Sequence, residues 1–279
     1  VKNRRRFLLR LLVCSIPVCL AVWVFLIEPN RLVVHRETLI IPHAIGLNNL
    51  RIAVLSDLHV GGLFIGTRKL EQVVAVTNAT DPDLIVILGD FMVTSKFYQQ
   101  PMPPESIAEN LRSLRARFGV YAVLGNHDWW FDGARVRRAL ETVGIKVLDN
   151  EVAHVEGAGR SFWLAGLADS WTRPQNITGT LRLVTTNDPV IALTHNPDIF
   201  SEIPPNVALT LAGHTHGGQV NFPFFGRPMV PSRFGQRYAA GHITEDGKQL
   251  FVTTGVGTSI LPVRFRVPPE IVVLTLSSP

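Results

Sequence analysis

Cysteine is nearly absent from this chain. Only Cys14 and Cys19 occur, both near the N-terminus, so the long remainder can hold neither a disulfide nor a thiolate-ligated metal. Any metal chemistry there must rest on His, Asp, Glu or Asn. A surplus of charge in the body is missing too. The formal net charge is +5, but Lys2, Arg4, Arg5, Arg6 and Arg10 supply five of the 27 basic residues, leaving 22 against 22 acidic side chains over residues 11–279. A body balanced in this way implies no polyanion-binding surface, and no nucleic-acid partner is expected. Internal repeats and low-complexity tracts are also lacking. What remains is 279 residues, 46% hydrophobic and 18% charged, enough for one large domain or two small ones around a substantial core.

A long uncharged run does occur, from Leu11 to Ile27, 17 residues behind the basic cluster. As a helix it would measure about 26 Å, near the low end for spanning a bilayer. Phe7, Leu8 and Leu9 extend it if Arg10 snorkels, and Pro17 would kink it without forbidding it. Three readings stay open: an uncleaved anchor, a cleaved export signal, and a buried helix of the fold. No A-x-A site follows, which favours retention, and "RRRFL" matches a twin-arginine signal only loosely. Val13 makes "LLVC" a poor lipobox, so Cys14 reads as an apolar helix residue. The positive-inside tendency places the N-terminus in the cytoplasm and the body outside it. The expected organisation is a basic N-terminus and transmembrane signal-anchor over 1–30, a linker over 31–47, and one domain over 48–279.

Beyond residue 30 strands and helices alternate. "RLVVHRETLIIP", "LRIAVLSD", "DLIVILGD", "GVYAVLGNHD", "SFWLAGLAD", "PVIALTHN", "VALTLAGHTH", "QLFVTTGVG" and "EIVVLTL" are short β-rich runs, several almost continuously apolar, as strands buried on both faces require. Helical stripes lie between them: Leu70, Val73, Val74 and Thr77 behind a possible N-cap at Thr67; Ile107, Leu111, Leu114 and Phe118 behind capping-box spacing at Ser106–Glu109; and Val136, Leu140 and Val143 between Asp132 and Gly144. The pattern predicts an α/β layered domain.

Five polar clusters each follow a strand-like run: Asp57-Leu58-His59, Gly89-Asp90, Gly125-Asn126-His127-Asp128, Thr194-His195-Asn196 and Gly213-His214-Thr215-His216. In α/β sheets, ligands bind beyond the carboxyl ends of the strands. Residues at i and i+2 of an extended chain point the same way, so Asp57 and His59 can reach one ion together, as can His214 and His216. Flanking glycines allow unusual φ angles and close backbone approach. Each piece alone is weak, and a lone His195 reads more readily as a satisfied core residue. The conjunction outweighs that, because five of nine histidines fall in these clusters. His35, His43, His154 and His242 lack such company and read as structural or exposed. Asp, Asn and His ligands without cysteine suit two divalent ions such as Mn²⁺, Fe²⁺ or Zn²⁺, with Mn²⁺ favoured, over the all-oxygen sites of Mg²⁺ or Ca²⁺.

The order D-x-H, G-D, G-N-H-D, H, G-H-x-H resembles that of the calcineurin-like metallophosphoesterase superfamily, over roughly residues 48–278. The resemblance implies a four-layer α/β/β/α sandwich with a dinuclear metal centre between its sheets. It implies that Asp57, His59 and His216 hold the first metal and Asn126, His195 and His214 the second, with Asp90 bridging. His127 would be the non-ligand histidine near the leaving group. Such a centre hydrolyses a phosphodiester or pyrophosphate by a metal-bridging hydroxide. His127 then protonates the leaving oxygen, and Asp128 either orients His127 or its loop or forms a plain salt bridge. Ser56 and Thr194 need no catalytic role.

The tail "GHTHGGQV" with "GTSILPVRFRVPPEIVVLTL", and the "GNHDWW" block, resemble a bacterial membrane-anchored subgroup that includes UDP-2,3-diacylglucosamine pyrophosphatases of the lipid A pathway. That implies an inner-membrane, single-pass protein acting on a lipid-linked phosphate ester. There is a conflict: such a substrate is expected on the cytoplasmic side, whereas the charge pattern puts the body outside. "GDFMVTS" lacks the acidic residue common after G-D in relatives, and the absence of "GDxVDRG" and "GNHE" argues against protein phosphatase activity. Two rivals stand: a phosphodiesterase for soluble nucleotides or other small diesters, and a catalytically silent scaffold. Trp129 and Trp130 either rim the site or pack in the core. "FYQQPMPPES" is either a substrate-side loop or a surface excursion. Arg264 and Arg266 read as a solvated or salt-bridged face more readily than as phosphate ligands.

Overall fold

The computed structural model describes residues 15–42, 46–94 and 102–278. In chain order its strands are β1 (Val33–Ile40), β2 (Arg51–Leu55), β3 (Leu84–Leu88), β4 (Val120–Val123), β5 (Lys146–Val147), β6 (Glu151–Gly157), β7 (Arg160–Gly166), β8 (Val190–Leu193), β9 (Leu209–Ala212), β10 (Gly241–Glu245), β11 (Lys248–Val252) and β12 (Glu270–Ser277). Beyond residue 30 the α-helices are α1 (Thr67–Ala79), α2 (Pro104–Leu111), α3 (Asn126–Thr142) and the single-turn α4 (Ile177–Leu181). Two six-stranded sheets form, with orders β1-β12-β2-β3-β4-β5 and β10-β11-β9-β8-β7-β6. Each has a parallel centre, β2-β3-β4-β5 in one and β11-β9-β8-β7 in the other.

Strand alternation splits the apolar runs between two cores. Ile52, Val54, Leu84, Val86 and Leu88 face Leu164, Ile191, Leu193, Leu209 and Leu211 across the gap between the sheets. Their neighbours Ala53, Leu55, Ile85 and Ile87 turn outward under α1–α3, against Leu70, Val73, Ile107 and Val136. Both faces of these strands are therefore dry, which explains sequence runs without polar interruption. On the other side, Ala192, Leu250 and Val252 pack under Ile199 and Phe200 of a 3₁₀ helix, Pro197–Glu202, and Ile203 just after it, with α4 beside them. The mixed α/β sandwich is thus thick on one outer face and thin on the other.

All nine expected runs contain a strand, whereas β5, β6 and β10 lie outside them. The segment read as a linker carries β1, which pairs in parallel with β12 over eight residues from Val33↔Glu270 to Ile40↔Ser277. Helix ends differ from the expected caps. Gly66, not Thr67, is the N-cap of α1. Helix α2 starts at Pro104, a residue whose missing N–H suits the first turn, so Ser106 lies inside it and forms no capping box. Leu114 and Phe118 are buried in the turns that follow. Helix α3 begins at Asn126, within the G-N-H-D motif, and is interrupted at Asp132 (φ −172°, ψ 82°), whose Oδ1 accepts the Arg135 N–H at 3.0 Å.

The expected anchor falls partly on residues 1–14, which lie outside the described residues, as do His43 and the first half of "FYQQPMPPES". Among the described residues no helix is long and apolar enough to cross a membrane. Helical residues 15–27 reach about 20 Å, short of the roughly 30 Å hydrocarbon core.

Candidate metal centre

The loops after β2, β3, β4, β8 and β9 meet at one edge of the sandwich and interlock through their backbones. Asp57 N–H donates to Gly89 O, His59 N–H to Asp90 O and Gly213 N–H to His195 O, each at 2.9 Å. Asp57, His59, Asp90, His214 and His216 all have φ between 44° and 68°. The left-handed region is uncommon for residues other than glycine and costs of order 1–3 kcal/mol each, so its clustering marks a site held against local preference. Neither D-x-H nor H-x-H is therefore extended. The two side chains of each pair converge because left-handed turns aim them, not because strand alternation does.

Three groups of ligand atoms result: Asp57, His59 and His216; Asp90, His195 and His214; and His59, Asp90 and His127, each group within 4.8 Å. His59 Nε2 lies 3.1 Å from His216 Nε2, and His195 Nε2 lies 3.1 Å from His214 Nδ1. Asp90 Oδ2 sits between the two pairs, 3.6 Å from His59 Nε2 and 3.3 Å from His195 Nε2. His59 Nδ1–H donates to Met92 O at 3.1 Å and His195 Nδ1–H to Leu88 O at 2.6 Å. A neutral ring so engaged presents its Nε2 lone pair to the centre. Asp57 Oδ1 and Asn126 Oδ1 are buried without a hydrogen-bond partner. Facing lone pairs and orphaned buried oxygens are what a cation would satisfy, and the donor set fits two divalent ions.

The charge states agree. Burial holds His59 and His214 down to about 3, and pushes His216 well below its ordinary value, so these rings are neutral and able to act as ligands. Burial raises Asp57 to about 6. His195 goes the other way, to about 10, because the charge and hydrogen bond of Asp90 outweigh its burial. A cation entering this subsite must displace that proton, so its binding weakens as pH falls.

Supporting groups fix the ligands. Asp128 is fully buried and accepts N–H bonds from Asp90 (2.9 Å), Met92 (3.0 Å) and Gly125 (2.9 Å). Its carboxylate pins the Asp90 loop to the start of α3, and no ion pair engages it among the described residues. His127 donates its backbone N–H to Asp90 Oδ1 at 2.9 Å, and its Nδ1 pairs with Thr94 Oγ1 at 2.6 Å. The half-buried His127 ring lies between His59 and Trp130, at centroid distances of 4.7 and 4.9 Å. Ser56 Oγ donates to Leu88 O and Thr194 Oγ1 to Asn196 O, both structural engagements.

The profile of the calcineurin-like phosphoesterase family matches residues 50–218, more than half of the chain. The chain belongs to this family. It is accordingly a metal-dependent phosphoester hydrolase. Among its relatives are the uncharacterized metallophosphoesterase YkuE of Bacillus subtilis, 33% identical over 90% of this chain and 88% of that protein, and phosphodiesterase YaeI of Escherichia coli, 29% identical over 81% and 82%. A zebrafish (Danio rerio) transmembrane protein with metallophosphoesterase domain is 31% identical over 82% of this chain, which spans only 54% of its length.

Within this member of the family several residues near the centre escaped the sequence reading. Trp171 lies edge-on to His214 at 4.4 Å and 6.5 Å from Trp130, both tryptophans about half exposed. Trp130 thus rims the centre, whereas Trp129 packs inward beneath the Arg173 guanidinium, 4.5 Å from its ring. Buried Asp169 holds the Trp171 loop through the Trp171 and Thr172 N–H groups and the Thr172 hydroxyl. Thr94 had no signal of its own. Arg264 corrects an expectation: it is neither solvated nor salt-bridged but fully buried, donating to the carbonyls of Val267, Thr254, Gly255 and Gly257. Gly257 N–H in turn donates to Asp57 O at 2.6 Å, so Arg264 braces the loop of a candidate ligand. Arg266 is exposed. His35, His154 and His242 stand apart on Glu270, Asp188 and Gln249.

Proposed function

We propose that the protein cleaves a phosphodiester or pyrophosphate bond at a dinuclear centre, on a lipid-linked or membrane-proximal substrate. The observation that carries the dinuclear reading is Asp90, a single carboxylate shared between two imidazole pairs. Asp57, His59 and His216 would hold one divalent ion, and Asn126, His195 and His214 the other, with Asp90 common to both and Mn²⁺ favoured. Bound there, two cations would supply charge neutralisation for phosphoryl oxygens and acidify a water. The chain's own residues do the rest. Asp57 and Asp90 would offset part of the charge of the ions, and His59, His214 and His216 would add uncharged nitrogen donors. His127, fixed by Thr94 and by its backbone bond to Asp90, stands where a leaving oxygen would take up a proton. Trp130 and Trp171 offer flat apolar surface to the group beyond the phosphate.

A lipid-linked substrate is supported by the apolar helix that precedes β1, from which Ile16, Val18, Leu20, Phe25, Leu26 and Ile27 stand exposed. Membrane tethering through the N-terminal segment would keep the centre near its substrate. The test uses detergent-solubilised protein with Mn²⁺, assayed against UDP-2,3-diacylglucosamine and bis-p-nitrophenyl phosphate, with Asp90→Asn as control. Cleavage of the acylated nucleotide, lost in the variant, supports the lipid reading. Cleavage of the small diester alone refutes it and favours soluble diesters. Cleavage of neither would favour a scaffold, against which the full ligand set argues.

A further inference from the structure

Two apolar turns project from chain segments that adjoin the candidate metal centre. The chain leaving His216 runs through Gly217 and Gly218 to Gln219 and then makes a tight turn closed by reciprocal N–H bonds between Phe222 and Gly226. That turn lifts Phe224 and Phe225 into solvent, 103% and 84% exposed. A second turn projects Ile260 and Leu261, 69% and 54% exposed. The two are tied together: Gln219 Nε2 donates to Leu261 O at 3.1 Å, Ser259 N–H donates to Gln219 Oε1 at 2.7 Å, and the Phe222 and Phe265 rings lie 5.9 Å apart. The second turn also borders the ligands, since Gly257 bonds to Asp57.

The apolar N-terminal helix joins this same face. Arg264 N–H donates to Val24 O at 3.1 Å, and Val267 N–H to the buried Glu28 Oε1 at 2.8 Å. Those two bonds fix the helix end to the domain, and Glu28 also accepts from Trp23 Nε1 at 2.6 Å within the helical segment. The helix end thus adjoins the chain segment that follows the second turn, and exposed apolar residues come from three neighbouring projections, the helix and the two turns. A second protein would need a matching relief, whereas a lipid interface accommodates projections of any shape. Arg266, exposed beside Phe265, adds positive charge at its edge. Aromatic and aliphatic tips with basic flanks are the chemistry of the headgroup–acyl boundary.

We infer that the Phe222–Gly226 and Ser259–Pro262 turns dock into the interfacial region of an anionic phospholipid bilayer, seating the metal centre on the membrane surface. The inference deepens the membrane-proximal reading above but does not need turnover to be tested. The full chain, with Cys14→Ser and Cys19→Ser, would carry Phe225→Cys or Ala158→Cys bearing a nitroxide. Each would be reconstituted into phosphatidylcholine/phosphatidylglycerol vesicles. Ala158 lies in the exposed β6–β7 turn. Collision with oxygen relative to a water-soluble nickel chelate should be several-fold higher at position 225 than at 158. Equal, water-like accessibility at both positions overturns the docking even if the helix tethers the chain. Shielding of position 225 that persists in detergent, with a dimer by light scattering, also overturns it in favour of a second copy. Failure of the lipid substrate alone would leave the depth profile unchanged, so the two readings can fail separately.

Discussion

Gly213 sits between Ser56 and the proposed ligand Asp57, and its substitution by alanine tests whether the centre depends on ligand placement to a fraction of an ångström. A Cβ at this position would overlap Ser56 Oγ, and would lie 2.7 Å from Asp57 Oδ2 and 2.8 Å from Ser56 Cβ. Ordinary contact begins near 3.4 Å, so Asp57 must retreat by about 0.7 Å. Metal–ligand distances tolerate only about 0.2 Å. The same oxygen accepts the His214 N–H at 3.0 Å, so the displacement reaches a second ligand. Overpacking should cost about 1–3 kcal/mol of stability, and distorted ligand support about 10–100-fold in metal affinity. Calorimetric titration with Mn²⁺ and thermal unfolding of the metal-free protein separate the two. Adding Ser56→Ala removes the hydroxyl overlap and should restore part of the stability but little of the affinity, because the contact with Asp57 persists. Wild-type affinity in Gly213→Ala would refute the argument that Asp57 is a ligand held at its limit.

Four further outcomes follow from the same geometry. Asp90→Asn should lower the metal content from two ions per chain, measured by inductively coupled plasma mass spectrometry; two retained ions would rule out a shared carboxylate. His127→Ala should keep its metal yet lose about 100- to 10,000-fold in turnover of a substrate with a poor leaving group, with a smaller loss for a nitrophenolate; equal losses would remove its role as proton donor. Asp128→Asn keeps one acceptor oxygen but sets an amide N–H₂ against at least one backbone N–H and should cost about 1–3 kcal/mol, seen as a lower Tm in the metal-free protein; an unchanged Tm would show that the replaced oxygen contributes nothing to stability. Away from the centre, the hydrogen bond to Glu270 raises His35, and that bond, with those from Thr254 N–H and Thr253 Oγ1, lowers Glu270 against the push of burial. The pair's stabilisation is full below the ordinary His value of 6.5 and above that of Glu at 4.5. It fades as pH rises through the raised His35 value. Solvent screening at the half-exposed ring keeps it small, so His35→Gln should narrow its Tm deficit from pH 6 to pH 9; a deficit that widens would reverse the sign.

The strands and the candidate ligands were legible for one reason. Strands buried on both faces leave unbroken apolar runs, and polar residues placed where those runs stop stand out, as at Leu88-Gly89-Asp90 and Ala212-Gly213-His214. The edge strand β10, whose sequence is "GHITE", faces solvent on alternate residues and leaves no such run. The start of α2 was readable in principle, because Pro103-Pro104 marks a first turn, but the capping-box spacing at Ser106 competed with it. What the sequence could not announce are groups satisfied by partners remote in the chain. Asp128 finds its donors at residues 90, 92 and 125, and Arg264 finds its acceptors in loops that only the folded sheets bring near. By local pattern an arginine in "RFR" belongs on the surface. Its burial follows from a need of the centre: the loop under Asp57 presents several carbonyls inward, and a five-donor guanidinium satisfies them together. The left-handed backbone of Asp57, His59, Asp90, His214 and His216 has the same origin, since no local preference selects it. The unreadable part of the site is the framework that forces ordinary ligand residues into an unfavourable geometry.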